Sequence, residues 1–324
     1  MDNVPYEEWV NFVIDILKDH GISDGLVLDL GCGTGEATRL LARHGYDMIG
    51  VDSSEDMLMI ANEKRLAAVQ GDYENSCDAD LTDADSKDKD SSDKDSCGKD
   101  SCDKDSSDKD SYDKDSCDKD SYDKDSRDYT SSDLDSPRNE NNGYINDRMG
   151  IESTNFESDI LYLCQDMREF ELYGTVRAIV SMCDCMNYIL EPDELLTVFE
   201  LAHNYLDWDG LFIFDMNTPF KYAELLADNT FAENREDCSF IWENEYDTDT
   251  KINTYDLTLF VQNEMGDFTR YEEYHEQRCF EQDEVCELLV QAGFVIEKVC
   301  EAYTGAPLSA ESDRALYVAR KIKL

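Results

Sequence analysis

The stretch LVLDLGCGTGEATRL, from Leu26 to Leu40, combines a short apolar run, a glycine-rich turn and the start of an amphipathic segment. An apolar run of this length followed by glycines predicts a buried strand that turns directly into a helix. The chain then repeats the pattern, with a strand predicted at 48–51 and a helix at 55–64. Strands that alternate with helices predict a parallel sheet that is covered by helices on both faces.

The same alternation resumes near residue 159 and continues to the end of the sequence. We predict a helix at 5–20, then strands at 159–167 and 175–184, a helix at 192–206, a strand at 210–217, helices at 218–227 and 282–292, and strands at 294–301 and 314–320. Three further stretches predict an antiparallel lid within 236–281, and they lie near 239–246, 252–262 and 268–278. The predicted fold class is therefore α/β, with a doubly wound, mostly parallel seven-stranded sheet and an antiparallel β lid.

Residues 66–156 interrupt the alternation and divide the predicted domain into 1–65 and 157–324. At 88–127 the chain repeats a five-residue unit, DKDSx, in which no position carries a recurring aliphatic residue. We predict a disordered acidic insert, because such a segment cannot bury enough apolar surface to offset its chain entropy. A calcium-binding array is disfavoured, since the repeat lacks the glycine turn and the distal Glu of a calcium loop.

The position of the insert also predicts where it lies relative to a ligand. A connection from a helix to the next strand lies at the edge of the sheet opposite the carboxyl ends of the strands, where ligands bind in such folds. We therefore expect that deletion of residues 78–140 leaves the affinity for a cofactor nearly unchanged.

The composition indicates which classes of partner the protein can bind and in which cellular compartment it is expected. The chain has 76 Asp and Glu against 29 Lys and Arg, and a net charge of -47 disfavours binding to nucleic acid. No apolar run approaches the roughly 18 residues of a membrane helix, and the first residues lack a basic signal-peptide region. Of the 12 cysteines, Cys164, Cys183, Cys286 and Cys300 lie in apolar runs, which indicates reduced thiols and a cytoplasmic location. The Cys183-x-Cys185 pair has no second pair, so no metal site is predicted.

The glycine loop is compatible with three cofactor classes. A P-loop requires a Lys followed by Ser or Thr after its glycines, whereas Glu36 follows Gly35 here. A dinucleotide fingerprint is G-x-G-x-x-G, whereas the glycines at 31, 33 and 35 form G-x-G-x-G. The carboxylates of Asp29 and Glu36 oppose a pyrophosphate at the helix N-terminus and suit a ligand with an ammonium or sulfonium group.

The stretch VLDLGCGTGEATRLLARHGYDMIGVDSSEDMLMIANEK resembles the first motif region of class I S-adenosylmethionine-dependent methyltransferases. It is similar to the small-molecule enzymes of that family that carry an antiparallel lid. The resemblance covers 1–65 and 157–324, and it implies a Rossmann-like domain that transfers a methyl group to N or O of a small organic acceptor. A nicotinamide-dependent oxidoreductase and a non-catalytic ligand-binding protein stay open as alternatives, and the oligomeric state is unknown.

The resemblance implies a set of contacts to S-adenosylmethionine at the ends of four strands. The glycines let the backbone approach the cofactor, and Asp29 lies near its ammonium group. Asp52 accepts hydrogen bonds from its ribose hydroxyls. Ser53 and Met57 flank the ribose and adenine, while Asp166 accepts a hydrogen bond from the adenine amino group. The complete set of implied cofactor residues is Asp29, Gly31, Cys32, Gly33, Gly35, Asp52, Ser53, Met57, Asp166, Met167 and Cys183.

Two residues are candidates for catalysis on the acceptor side. Tyr188 follows the fourth strand and can line a pocket, and His275 lies on the last lid strand, where it can orient or deprotonate an acceptor. The sequence DCMNY stands where methyltransferases of exocyclic amines in nucleic acids carry N-P-P-[YF], which argues against a DNA base as the acceptor. The lid aromatics can cover an organic acceptor or form the core of a small sheet, and they are Phe240, Trp242, Tyr246, Tyr255, Tyr271 and Tyr274.

Overall fold

The computed structural model of the chain describes the backbone of residues 4–82, 156–263 and 265–323. Side chains are described over the same residues except 69–82, 156 and 158. The repeat at 88–127, for which disorder was predicted, lies outside the described residues. Within the described part of the chain there are two sheets, one of seven strands and one of four.

The first half of the seven-stranded sheet follows the predicted alternation of helix and strand. Its elements are α1 (Tyr6–Asp19), β1 (Gly25–Leu30), α2 (Glu36–Arg43), β2 (Tyr46–Asp52) and α3 (Glu55–Thr82). Pro5 precedes the first turn of α1, and the buried residues of this helix recur every three or four positions, as an amphipathic helix requires. The prediction of alternating strands and helices is confirmed for this half of the chain.

Helix α3 is longer than predicted. The prediction ended the helix at Lys64 and began the disordered insert at residue 66, whereas the helix continues to Thr82. The sequence LAAVQ at 66–70 contains good helix formers and no Gly or Pro, so nothing in it stops the backbone hydrogen bonds that propagate the helix. The boundary was wrong because a loss of amphipathic pattern was interpreted as the end of the helix.

The second half completes both sheets. Its elements are β3 (Leu161–Cys164), β4 (Val176–Ser181), α4 (Pro192–Tyr205), β5 (Leu206–Asn217), β6 (Thr230–Asn234), β7 (Cys238–Asp247), β8 (Ile252–Gln262), β9 (Phe268–Arg278), α5 (Gln282–Gln291), β10 (Val295–Glu301) and β11 (Arg314–Arg320). Short 3-10 helices lie at Phe156–Asp159 and Cys185–Tyr188, and a π-helix at Lys221–Leu226 replaces the α-helix predicted at 218–227.

The large sheet has the strand order β10-β11-β5-β4-β1-β2-β3. Only β11 runs antiparallel to its neighbours, so the predicted doubly wound, mostly parallel seven-stranded sheet is confirmed. After β1 the chain builds outward through β2 and β3, and it then returns to the other side of β1 with β4. In such folds the crevice outside the carboxyl ends of the strands, at this switch point, is where ligands bind.

The core lies on both faces of the large sheet. Consecutive strand residues point to opposite faces, so Val27 packs with α1 and α2 while Leu28 packs with α4 and α5. The same alternation applies to Ile179 and Val180 on β4, all of them fully buried. Strands that are apolar on both faces belong to a parallel sheet between helices, which is the pattern that the sequence showed.

The four-stranded sheet is an antiparallel meander in the order β6-β7-β8-β9, and it forms the predicted lid. The lid begins at Thr230, outside the predicted limits of 236–281, because β6 was missed. Its sequence TFAEN is short and mostly polar, as befits an edge strand, and it pairs with β7 through Phe231 opposite Trp242. No helix within the described residues is long and apolar enough to cross a membrane.

Candidate active site

The glycine loop connects β1 to α2 through three residues in the left-handed region. Gly31, Gly33 and Gly35 have φ values of 81°, 52° and 75°, which side chains rarely adopt. A Cβ atom at Gly31 would lie 2.8 Å from the Sγ atom of Cys185, so a larger residue is excluded there. At Gly33 no atom of the described residues lies within 4 Å of the Cβ position. The loop therefore presents its backbone to open space in which a ligand can lie.

Asp52 joins the end of β2 to this loop. Its Oδ2 atom accepts a hydrogen bond from the Gly33 amide at 2.8 Å, and its Oδ1 atom accepts one from the Ser54 amide at 2.9 Å. The carboxylate is only partly buried and retains lone pairs for two hydroxyl groups of a ligand. Ser53 and Met57 are exposed at the same strand end, with 42% of Met57 accessible.

Asp29 lies beneath the loop and is 1% exposed. Its Oδ2 atom accepts a hydrogen bond of 2.6 Å from the Thr38 hydroxyl of α2. Burial raises the pKa of Asp29 from 3.8 to about 6, although the Thr38 hydrogen bond opposes this change. Cys32, also buried, packs close to Gly50 of β2. The structure thus gives Asp29 a role in joining β1 to α2, and its predicted contact with a ligand ammonium group stays a prediction.

Asp166 and Met167 follow the end of β3, next to the end of β2 and the glycine loop. The amide of Gln165 donates to the Asp52 carbonyl at 3.0 Å, which couples the two strand ends. Hydrogen bonds from the side chain of Arg168 hold the pKa of Asp166 below its usual value, so this carboxylate stays an acceptor. The Cε atom of Met167 lies 3.5 Å from the Cβ position at Gly31. We call the set Gly31, Gly33, Gly35, Asp52, Asp166 and Met167 the loop edge.

A strained turn follows β4. Cys183 and Asp184 have φ values of 65° and 55°, and residues other than glycine in this region cost about 1–3 kcal/mol each. The buried carboxylate of Asp215 on β5 holds the turn, because it accepts hydrogen bonds from the backbone amides of Cys183 and Asp184 at 3.3 and 2.7 Å. Burial raises the pKa of the Cys183 thiol to about 12, so this predicted site residue is a neutral thiol. Its Sγ atom lies 3.8 Å from the Tyr6 hydroxyl of α1.

Arg314 on β11 completes this turn and was missed by the sequence analysis. Its guanidinium bridges Asp215 at 2.9 Å and Asp184 at 2.7 Å. The Tyr303 hydroxyl also donates to Asp215, and the amide of Gln277 on the lid donates to Asp184 at 2.7 Å. These five residues belong to five strands or loops between residues 184 and 314. No spacing in the sequence signals them, because only the folded sheet brings them together.

The two predicted acceptor-side residues are brought together by the structure. The Tyr188 hydroxyl lies 3.3 Å from Nδ1 of His275 and 2.6 Å from the hydroxyl of Tyr255. Tyr255 and His275 stand opposite each other on β8 and β9, and their rings stack at 4.8 Å between centroids. On the other side, Nε2 of His275 lies 3.2 Å from Oε2 of Glu273. We call Tyr188, Tyr255, Glu273 and His275 the lid cluster.

The lid cluster can move a proton. When Nε2–H of His275 donates to Glu273, the Nδ1 atom carries a lone pair that faces the Tyr188 hydroxyl and can accept a proton. Burial raises the pKa values of Tyr188 and Tyr255, so both hydroxyls stay protonated at neutral pH. Glu273 was missed by the sequence analysis, although its position two residues before His275 on a strand places both side chains on one face. Within the described residues, no group of three His, Cys, Asp or Glu side chains is arranged to hold a metal ion.

Comparisons with known proteins agree with the fold. A family model described as a methyltransferase domain matches residues 27–89. The chain is 26% identical to a putative methyltransferase of Bacillus subtilis strain 168, YqeM, over 324 residues that cover 100% of this chain and 93% of that protein.

Two solved structures share the architecture. One is an S-adenosylmethionine-dependent methyltransferase from Clostridium acetobutylicum, with a TM-score of 0.68 and 19% identity over 99% of this chain and 94% of that one. The other is CalS10, an amino pentose methyltransferase from Micromonospora echinaspora with S-adenosylmethionine bound, with a TM-score of 0.57 and 12% identity over 99% of this chain and 93% of that one. At these identities the structures support the fold.

Proposed function

We propose that this chain, which is a class I S-adenosylmethionine-dependent methyltransferase, transfers the methyl group to a nitrogen or oxygen atom of a small organic acceptor held between the loop edge and the lid. The observation that carries the proposal is the lid cluster. Tyr188 from the end of β4 meets Tyr255 and His275 from the lid, so groups able to handle a proton span the two sides of the crevice.

The cofactor is S-adenosylmethionine, and this decides against a nicotinamide dinucleotide. We assign its amino acid portion to the amides of the glycine loop, its ribose to Asp52 and its adenine to Asp166 and Met167. The open space above Gly33 and the free lone pairs of Asp52 fit this assignment. When bound, the cofactor supplies an electrophilic methyl group on a sulfonium.

The residues of the chain have two tasks in this reaction. The first is alignment, because an in-line displacement needs the nucleophile and the methyl group close together and shielded from water. The second is removal of a proton from the acceptor, which His275 performs at Nδ1 while Glu273 stabilises the imidazolium through Nε2. Tyr255 stacks on the imidazole and the Tyr188 hydroxyl lies beside Nδ1, so both hold the imidazole in place.

The acceptor atom is nitrogen or oxygen, and the same cluster serves both. A protonated amine must lose a proton before it is nucleophilic, and a hydroxyl must lose one during the transfer. CalS10, which shares the fold, acts on an amino pentose, so sugar-like amines are the first acceptors to test. A cytoplasmic location and a small-molecule partner remain predictions of the sequence.

The test is a panel of amines and hydroxyl compounds with S-adenosylmethionine labelled in the methyl group. With an accepted compound, His275→Ala should lower kcat by about 10²- to 10⁴-fold, the usual contribution of a general base, and leave the cofactor Kd unchanged. His44→Ala, which alters an exposed histidine at the end of α2, is the matched control and should retain full activity. Full activity of His275→Ala with every compound would contradict the proposed base.

A further inference from the structure

The two faces of the lid differ in chemistry. Along one face, Phe240, Leu259 and Tyr271 stand side by side on β7, β8 and β9. In the next row toward the lid cluster, Trp242 stands beside Leu257. The opposite face is mixed, because it carries Ile241 and Phe260 together with the carboxylates of Glu243, Glu245, Asp256, Glu272 and Glu276. An antiparallel sheet that is apolar on one face has that face available for contact with apolar groups.

The apolar face continues directly from the lid cluster. On β8, Tyr255, Leu257, Leu259 and Val261 alternate with outward residues, so all four point to the same side. At about 3.3 Å per residue, the row extends about 20 Å from Tyr255 to Val261. Much of it is accessible, with 43% of Val261 and 53% of Tyr271 exposed. We call Phe240, Trp242, Leu257, Leu259, Val261 and Tyr271 the apolar strip.

Trp242 marks the junction between the lid cluster and the apolar strip. Its ring contacts Tyr255 edge to face at 5.3 Å between centroids. Its Nε1–H group is buried, and no described residue accepts a hydrogen bond from it. A buried donor without a partner costs about 1–3 kcal/mol, so a ligand that places a polar atom at this point gains from filling the position.

We infer that the acceptor is amphipathic, with its reactive amine or hydroxyl at the lid cluster and an apolar arm that lies along the apolar strip. The inference rests on the proposed function and deepens it by specifying the acceptor class. The reacting atom must reach His275, and the strip is the continuation of the same lid face beyond that residue. The bound molecule thus covers the exposed apolar side chains, and a polar atom near its reactive end accepts the Trp242 hydrogen bond.

The experiment measures binding separately from turnover. Calorimetry of the full chain, saturated with S-adenosylhomocysteine, is carried out with n-alkylamines and n-alkanols of increasing length. We expect Kd to fall about three- to fourfold for each added methylene, which is the gain for burying one such group. Leu259→Gln on the strip should weaken this dependence and leave the shortest compounds unaffected. Ile241→Gln, which alters a 40% exposed residue of the opposite face, is the matched control and should retain the wild-type dependence.

Three results would overturn the inference. They are a Kd that does not change with chain length, an equal effect of both substitutions, and a self-associated protein that Leu259→Gln converts to monomers, since a second copy would then occupy the strip. Because calorimetry needs no reaction, failure of the proposed function is distinguishable. Binding that strengthens with chain length, without methyl transfer to any compound, supports the amphipathic ligand and contradicts the proposed reaction.

Discussion

The loop edge and the lid cluster meet at the same end of the sheet, but they are built from different parts of the chain. The loop edge relies on backbone geometry, since Gly31, Gly33 and Gly35 take left-handed conformations and a carboxylate fixes the middle amide. The lid cluster relies on side chains, because Tyr188 and His275, which are in contact, lie 87 positions apart in the chain.

This difference separates two kinds of recognition. A cofactor held by backbone amides requires a short sequence with glycines at fixed places, so the requirement is readable from the chain. An acceptor held by side chains on separate strands requires a folded lid, and different side chains on the same lid select different acceptors. We therefore expect substitutions at the loop edge to act on cofactor binding, and substitutions in the lid cluster to act on turnover.

The largest expected effect comes from the Arg314 bridge, which stands between the two regions. Arg314→Met leaves the carboxylates of Asp184 and Asp215 without their cation. We expect a loss of about 3–5 kcal/mol in the free energy of unfolding, because the charge that stays behind is buried. Denaturant titration measures the change.

Arg320→Met is the control for that substitution. Arg320 lies on the same strand, but its ion pairs are longer, at 3.6 and 3.7 Å, and its partners are more exposed. It should lose at most about 1 kcal/mol. Equal losses in the two variants would mean that the bridge contributes nothing specific to the turn after β4.

The next effect is a pH dependence of stability that arises from Asp29, beneath the glycine loop. Since the pKa of Asp29 rises from 3.8 to about 6 on folding, the folded chain holds a proton that the unfolded chain has lost between these values. Its contribution to stability is therefore complete below about pH 4 and falls as the pH rises to about 6. Each pKa unit corresponds to about 1.4 kcal/mol, so the total is about 3 kcal/mol.

Asp29→Asn isolates this contribution, since the amide keeps an oxygen for the Thr38 hydroxyl but does not titrate. Denaturant titrations at a series of pH values should show the variant gaining stability relative to the wild-type chain as the pH rises from 4 to 6. A stability difference that stays constant over that range would mean that Asp29 is ionised at pH 4 in the folded chain.

A smaller effect is expected for Asp52→Ala. Removal of hydrogen bonds to a charged group costs about 1.5–3 kcal/mol, so the Kd for S-adenosylmethionine should rise by about 10- to 100-fold. Asp56→Ala, an exposed residue at the start of α3, should leave the Kd unchanged. If Asp52→Ala weakened acceptor binding instead, the division of labour between the loop edge and the lid would fail.

The smallest effect is expected from removal of the insert. Replacement of residues 83–153 by a short Gly/Ser linker should keep the cofactor Kd within about twofold, because a helix-to-strand connection lies away from the carboxyl ends of the strands. Glu157, which follows the insert, pairs with Arg39 and with Arg43 of α2. A large loss of affinity in calorimetry would show that the insert contributes to the loop edge.

Much of the fold could be predicted because periodicity depends on local neighbours. Strands that are apolar on both faces and helices with one apolar face can be recognised within about ten residues, so the succession of strands and helices in the large sheet's part of the chain was predicted correctly. The end of α3 and the strand β6 were missed for the same reason. Good helix formers after Lys64 extend α3, and pairing with β7 forms β6. Neither of these causes produces an amphipathic pattern in the sequence.

The sequence by itself determined the α/β architecture and the glycine loop, because three left-handed positions in one tight turn strongly favour glycine. Only the tertiary structure decided that Arg314 bridges Asp184 and Asp215, and that Glu273, His275 and Tyr188 lie in line. Those contacts join residues from distant parts of the chain, and their partners depend on strand order and lid register. Register is set by the packing of whole faces, so no short stretch of sequence specifies it.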